Sequence, residues 1–410
     1  MFGTATFTLL VLTLILSTLL RQTPLFLLSL ALLLAAALSW LWDRYGLVGV
    51  EYSRRFSKRH VPFGETITLD LEIVNRKLLP LAWLEIDDEI SPTLAIARGQ
   101  IATGWRTGRD ILANLVALRP YERIRRHYPL TCTVRGEHVF GPTRLSTGDL
   151  FGLVVRDIER EDTESIVVFP RVVPLADLGL PANRPIGDRR SRSWLFEDPS
   201  RIVGVRELRP GDSVRRIHWA ASARTQQLQV KIFEPTTSHK LMIFLNLIST
   251  TADWWNPASD PDVLEFGITA AASIATWAVD ERYQVGLATN GMHRYGSRRV
   301  VLEASGDPSV LPRLLEALGR LQPIAIRPFE QTLAEESRHL HYGTTAVAIT
   351  HDLSAAVAAE LTRIRRRGHA VTVILTGRDP KVTRLNGIAV RLAGPPEEWR
   401  NTPALTLVPT

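Results

Sequence analysis

The sequence predicts a multidomain membrane protein with two N-terminal transmembrane helices, an all-β sandwich domain and a C-terminal α/β domain. Three observations carry this expectation. Two uncharged apolar segments open the chain, a period-two hydrophobic pattern dominates the stretch that follows, and short apolar runs alternate with helical patterns toward the C-terminus. At 410 residues the chain also exceeds what one ordinary core organises.

The opening segments, Phe2 to Leu20 and Pro24 to Trp42, each lack charge over a length that spans a hydrocarbon core about 30 Å thick. Only Arg21, Gln22 and Thr23 separate them, so residues 1–45 read as a tight helical hairpin with both ends on one side. Arg44, Arg54, Arg55, Lys58 and Arg59 follow the second segment, against a single arginine in the turn. The positive-inside rule therefore places the hairpin in the inner (plasma) membrane with a cytoplasmic body. A cleaved signal peptide fits less well, because no basic region precedes the first segment and a second span follows at once. Trp40, Trp42 and Tyr45 cluster where the second helix would leave the bilayer.

Residues 46–180 alternate apolar and polar side chains, most clearly at Ile67, Leu69, Leu71 and Ile73. Further short runs, Tyr128 to Val134 and Ser165 to Phe169, are separated by Gly, Pro and Asn. The pattern argues for an antiparallel sandwich, with a barrel as the alternative closure. The lone Cys132 lies on the apolar side of one run and reads as a small core residue.

Residues 181–235 change character. Between Pro181 and Lys231 stand eleven Arg and Lys against five acids, which reads as a basic linker leading into a compact motif. Within it, Pro210-Gly211 forms a turn, Asp212 is expected to cap a short helix, and Val214, Ile217 and Trp219 to supply its apolar contacts. The arginines admit two readings: pairing with Glu207, Asp212 and Glu234, or binding an anion or partner. Residues 236–410 alternate strands (Leu241 to Ile248, Gln284 to Thr289, Thr345 to Thr350, Ala370 to Thr376) with helices (Asp262 to Val279, Ser309 to Leu321, Ser354 to Arg367). A mostly parallel sheet follows, with Asp262 as a helix cap.

The segment from Arg206 to Glu234 resembles a bacterial membrane family known as domain of unknown function 58. The matching hallmark is Pro210-Gly211-Asp212, Arg215-Arg216-Ile217, Trp219, Ser222-Ala223-Arg224 and Val230-Lys231. An upstream signature matches as well, at Arg135, Gly136, Phe140, Gly141, Pro142, Asp149, Phe151, Gly152 and Leu153, followed by Pro170 to Val172. His218 departs from the family, which usually shows Asp there. The resemblance implies a von Willebrand factor A-like C-terminal domain and association with AAA+ ATPases of the MoxR class. It also makes Arg206, Pro210, Gly211, Asp212, Arg215, Arg216, Trp219, Ser222, Arg224 and Lys231 the hallmark and candidate partner-binding residues.

Metal-binding domains of that kind carry Asp-x-Ser-x-Ser after the first strand. Here Asn246, Ile248 and Thr250 stand in those places, with Asp352 on a later loop, so the expected site is degenerate and no metal or cofactor is expected. The His339, His341 and His351 patch lacks a second ligand pair at zinc spacing. Phosphate-loop, nucleophile-elbow and zinc-protease motifs are absent from the sequence. An acid-x-Lys element at Gln229-Val230-Lys231 has Gln where a carboxylate is needed. The expectation is therefore a non-catalytic, membrane-anchored scaffold or adaptor for unidentified client proteins, acting with a MoxR-type ATPase. The alternative is a nucleic-acid or anionic-lipid binder using the basic stretch, with nucleic acid disfavoured because few aromatics interleave with the arginines.

Overall fold

The computed structural model describes all residues except 1–3, 98, 178–195, 210–211, 213, 237–239, 251–259, 294–295, 381, 383 and 410. Most of the basic stretch ahead of Phe196 thus lies outside the described residues. The chain divides into two compact units, Met1–Phe169 and Pro170–Thr410. This boundary precedes the compositional one at 180, and it places the helical hairpin in the same unit as the β domain.

In the first unit α1 (Thr4–Leu19) and α2 (Thr23–Tyr45) reverse at Arg21, which takes a left-handed conformation (φ 52°). The side chains buried on the two helices include Ser17, Ser29 and Ala36, small residues that let backbones approach closely. By length and composition α2 is able to cross a membrane (mean hydropathy 2.3), whereas the apolar stretch of α1 over Phe7–Leu19 is shorter.

Twelve described strands follow: β1 (Val50–Phe56), β2 (His60–Val61), β3 (Thr66–Asn75), β4 (Leu81–Ile90), β5 (Ala95–Ile96), β6 (Gln100–Thr103), β7 (Asp110–Leu118), β8 (Arg123–Thr131), β9 (Gly136–Phe140), β10 (Thr143–Gly148), β11 (Val155–Arg160) and β12 (Glu164–Val168). They form sheets ordered β1-β3-β8-β5, β11-β10-β4-β7-β6 and β2-β12-β9. The alternation in β3 does what its period demands: Ile67, Leu69, Leu71 and Ile73 are all buried, facing Leu84, Ile86, Leu112 and Leu145 of the second sheet. Cys132 is fully buried, and burial pushes its thiol up to about 11. One buried polar cluster crosses this core. Asp88 accepts from Arg54 Nη1 (2.5 Å), Tyr52 Oη (2.8 Å) and Thr143 Oγ1 (2.9 Å), and Arg54 Nη2 donates to the Asp162 carbonyl (2.6 Å). Gly141 of the upstream signature lies against that guanidinium; a Cβ there would come within 2.4 Å of the same carbonyl.

The base of α2 is fastened to the β domain at several points. Trp42 Nε1 donates to the Pro80 carbonyl (3.2 Å), and Arg156 Nη1 donates to the Asp43 carbonyl (2.7 Å). Lys77 Nζ donates to the carbonyls of Tyr45 (2.8 Å), Gly46 and Val48 (2.8 Å), supplying the cationic cap that a helix C-terminus favours. Burial lowers the Lys77 ammonium to about 8.

The second unit opens with β13 (Leu175–Asp177) and an antiparallel ribbon of β14 (Phe196–Glu207) and β15 (Gln229–Thr236), between which lies the short α3 (Trp219–Thr225). The stretch expected to be a linker is thus partly a two-stranded ribbon. Its charged strands carry too little apolar alternation to announce themselves. Beyond it run β16 (Lys240–Leu245), α4 (Pro261–Asp280), β17 (Gln284–His293), β18 (Gly296–Ser305), α5 (Val310–Arg320), β19 (Leu321–Ala325), α6 (Phe329–Glu336), β20 (Thr345–Thr350), α7 (Ala355–Arg366), β21 (Ala370–Leu375), β22 (Ala389–Leu392), β23 (Leu405–Thr406) and β24 (Val408–Pro409). The main sheet is ordered β18-β17-β16-β20-β21-β22-β24. The run from β17 to β22 is parallel, and β18 and β24 are antiparallel at the edges. Helix α4 is long and apolar enough to cross a membrane, but it is mostly buried, with Ile268, Ala271, Ile274 and Ala275 in the core. Its cap is Asp260, whose carboxylate accepts from Asp262 N (3.1 Å) and Val263 N (3.3 Å), rather than Asp262. Pro261 fills the first helical position and moves the start one residue earlier. Ser354 caps α7, as its position suggests.

Candidate functional site

Two places in the second unit hold the residues singled out by sequence. The first is the excursion between β14 and β15. Arg206, paired with Val230 across the ribbon, reaches the turn with a bidentate bond to Asp212 (2.6 and 2.7 Å), while Asp212 also accepts from Arg209 N (2.8 Å). The Arg206 guanidinium first, and the Arg209 amide second, hold the Asp212 carboxyl down at about 2. Asp212 therefore locks the turn and does not cap α3.

The capping residue of α3 is His218. Its Nδ1 accepts from Ala221 N (3.1 Å), the place where the family's Asp would present an oxygen. Ser222 Oγ donates to the His218 carbonyl (3.0 Å) and accepts from Gln229 N (2.9 Å), so it clips the helix to β15. Leu208 N donates to Leu228 O (2.9 Å) and closes the base of the excursion. Of the three expected apolar contacts only Ile217 is buried, bridged to Val230; Val214 and Trp219 are 71% and 66% exposed. Arg216 and Arg224 are exposed and Lys231 is half-buried. Pro210, Gly211 and the side chains of Arg215 and Glu234 lie outside the described residues.

The second place is the end of β16 and β20, where the sheet order reverses direction and α/β folds form their crevice. The Asn246 carboxamide is engaged at both ends. Its Nδ2 donates to Thr350 Oγ1 (3.0 Å), and its Oδ1 accepts from Ile248 N (3.0 Å) and Asn290 Nδ2 (2.9 Å). Asn290 Oδ1 in turn accepts from Leu247 N (2.8 Å), and Thr350 Oγ1 donates to the Asp352 carbonyl (3.0 Å). Amide hydrogens occupy the place where a divalent ion would require anionic oxygens, Ile248 contributes only its backbone, and Asp352 Oδ1 accepts from Leu353 N (2.8 Å). This donor set does not fit Mg²⁺. His351 is half-buried against the Ile248 and Thr250 backbone, and desolvation lowers its imidazole, whereas His339 and His341 are exposed. Among the described residues no three His, Cys, Asp or Glu side chains converge as metal ligands.

Sequence reasoning missed Asn290, a buried amide directly after the apolar run of β17 and on that ground detectable. It also missed Arg378, which bonds Asp260 through Nε (2.6 Å) and Nη2 (3.2 Å), lies 3.5 Å from Asp262 and also pairs with Glu397. That cluster joins the start of α4 to the C-terminal segment, where Trp399 Nε1 donates to Asp262 (3.2 Å).

Comparison with known proteins bears on this same region. A Bacillus subtilis (strain 168) protein described as uncharacterized protein YeaD is 24% identical over 260 residues, covering 61% of this chain; the chain spans 58% of that relative's length. Among solved structures, a CARDB domain from Pyrococcus furiosus is 13% identical over 30% of this chain and 90% of its own (TM-score 0.20). A cohesin module from a Clostridium perfringens glycoside hydrolase is 13% identical over 29% and 96% (TM-score 0.21). Scores this low leave those two likenesses without weight. Residues 204–399, which hold both the excursion and the switch-point loops, match the family described as "Protein of unknown function DUF58", and together with the Bacillus relative this match supports the DUF58 resemblance read from the hallmark residues.

Proposed function

We propose that this chain is a membrane-anchored, non-catalytic scaffold whose hallmark excursion is a docking face for a protein partner. One observation carries the reading. The polar hallmark residues Arg206, Asp212 and Ser222, together with the departing His218, are spent on holding the excursion in shape, while Trp219 and Val214 are turned to solvent on it. An exposed Trp on a braced loop, with arginines on the same segment, has the composition of an interface hot spot. The length and apolarity of α2 support an anchor in the plasma membrane, and the excess of Arg and Lys that follows it favours a cytoplasmic body. The strand order with its β16/β20 switch point supports a von Willebrand factor A-like domain whose ion site has been replaced by the Asn246–Asn290 amide network.

The partner proposed is a MoxR-type AAA+ ATPase, which the scaffold would bring to client complexes at the membrane. The test is binding of the detergent-solubilised full chain to a purified MoxR-type ATPase of the same organism, without nucleotide, with ADP and with a slowly hydrolysed ATP analogue. Saturable binding that weakens about thirtyfold on Trp219→Ala, roughly 2 kcal/mol, is expected. No saturable binding in any nucleotide state defeats the proposal. Arg209 and Arg224, exposed on the same excursion as Trp219, favour a second reading, an anionic lipid or nucleic-acid contact, which predicts affinity falling steeply with salt.

A further inference from the structure

The upstream signature Asp149-Leu150-Phe151-Gly152-Leu153 has no part in the excursion or the switch point, yet its geometry is specific. Asp149 is buried; its Oδ1 accepts from Leu153 N (2.8 Å) and Val154 N (3.1 Å), and its Oδ2 accepts from Ser39 Oγ on α2. Gly152 takes a left-handed conformation (φ 70°) at the loop tip. The carboxylate thus folds the loop over itself and pins it to the helix. What the loop then presents is apolar: Leu150, Phe151 and Leu153 are 65%, 51% and 48% exposed.

The depth of the attachment says what covers them. Ser39 lies about 24 Å along α2 from Thr23, at 1.5 Å per residue, so a hydrocarbon layer of about 30 Å that starts at the turn ends about 6 Å, roughly one helical turn, beyond it. Leu150 and Trp42 line the same groove, which keeps the loop at that level. Neighbouring turns repeat the pattern. The turn after β3, which bonds Trp42 through Pro80, exposes Leu78, and the turn after β7, bonded to it through Tyr121 N and the Lys77 carbonyl (3.3 Å), exposes Tyr121. Arg44 is exposed at the same end, and Lys77 and Arg156 bind the helix terminus there.

We propose that the loop 149–154, together with the Leu78 and Tyr121 turns, is a membrane-seating face that inserts into the lipid interface around the emerging α2. This rests on the anchor reading above. Interfacial apolar groups flanked by aromatic and cationic side chains are what such a face requires. The β domain is then set on the bilayer surface in one orientation.

The experiment uses the full chain in phosphatidylcholine/phosphatidylglycerol liposomes, with single cysteines carrying an environment-sensitive nitrobenzoxadiazole label. Cys132 stays unlabelled because it is fully buried. Labels go at Phe151→Cys and, as an independent variant, Leu150→Cys; at Leu32→Cys within α2; and at Thr66→Cys, which lies at the end of β3 remote from Asn75 and the Lys77 turn. Quenching of the 150 and 151 labels by lipid spin-labelled near the headgroup, at least twofold above the Thr66 label, is expected, with matching protection from iodide. Water access at 150 and 151 equal to that at 66, with the Leu32 label still lipid-quenched, overturns the seating face and leaves the anchor standing. Protection from iodide without lipid quenching means that protein covers the loop, and it overturns the proposal too. A water-exposed Leu32 label overturns both readings.

Discussion

Replacing Asp149 separates its two jobs. In Asp149→Ala the amides of Leu153 and Val154 lose an acceptor, but at headgroup level interfacial water or a headgroup oxygen replaces it. Ser39, fully buried on α2, has no such recourse. Leaving that hydroxyl unpaired and removing a charged acceptor costs about 2–3 kcal/mol. In Asp149→Asn the side-chain oxygen still serves the two amides and the Ser39 hydroxyl turns to accept, so the loss is roughly 1 kcal/mol or less. For a unit of this size each kcal/mol moves the midpoint by about 2–4 °C, which puts the Ala variant roughly 4–12 °C below wild type and the Asn variant within about 4 °C. Burial, the largest influence on Asp149, opposes ionisation, but the bonds from Ser39, Val154 and Leu153 outweigh it and hold the carboxyl below its ordinary value. Its contribution is therefore complete above the unfolded carboxyl range near pH 4 and is lost as pH falls through the folded value. Thermal scans of the detergent-solubilised chain, with hydrogen exchange read at Leu153 and Val154, check this. Equal losses in the two variants with unchanged exchange at both amides would refute the reasoning.

Asp88→Ala strands the buried Arg54 guanidinium and should cost about 3–5 kcal/mol in equilibrium unfolding, whereas Arg54→Met/Asp88→Leu should recover only part of it, because Tyr52 Oη and Thr143 Oγ1 still lose their acceptor. Burial is the first cause that holds His138, His351 and His369 below the ordinary imidazole value. Each is neutral in the fold and takes a proton more readily once unfolded. Stability is therefore full above about pH 6.5 and declines toward acid by up to roughly 1.4 kcal/mol per unit per group, and a midpoint flat between pH 7.5 and 5.5 would contradict it. His218→Asp puts a better cap on α3 and should slow exchange at the Ala221 amide, for a gain of roughly 0.5–1 kcal/mol.

Elements whose periodicity matched their burial were legible from sequence alone. The alternation of β3 and the apolar runs of β16, β20 and β21 required no tertiary information, and Ser354 announced its helix. The ribbon β14–β15 was not legible, because its order comes from cross-strand bonds and not from a buried face. Helix caps failed where two acids competed: Asp260 against Asp262 was decided by Pro261, and Asp212 was claimed by Arg206 before it could serve α3. Trp219 was read as inward because a helix of seven residues has too few positions to tell its faces apart, and Val214 because it was assigned to that helix, which it in fact precedes. Asn246 and Asp352 follow closely on the ends of their strands, but the role of Asn246 depended on Asn290, 44 residues away.

The grip of Lys77, Arg156 and the Pro80 carbonyl on the end of α2 makes the helix a lever and not a leash. Torque or tilt applied to its shaft is delivered to the sheets without slack, and a push on the β domain turns the helix in return. As Lys77 gives up its proton above about pH 8 the joint loses a charge, while the Trp42 and Arg156 bonds go on holding the helix to the domain.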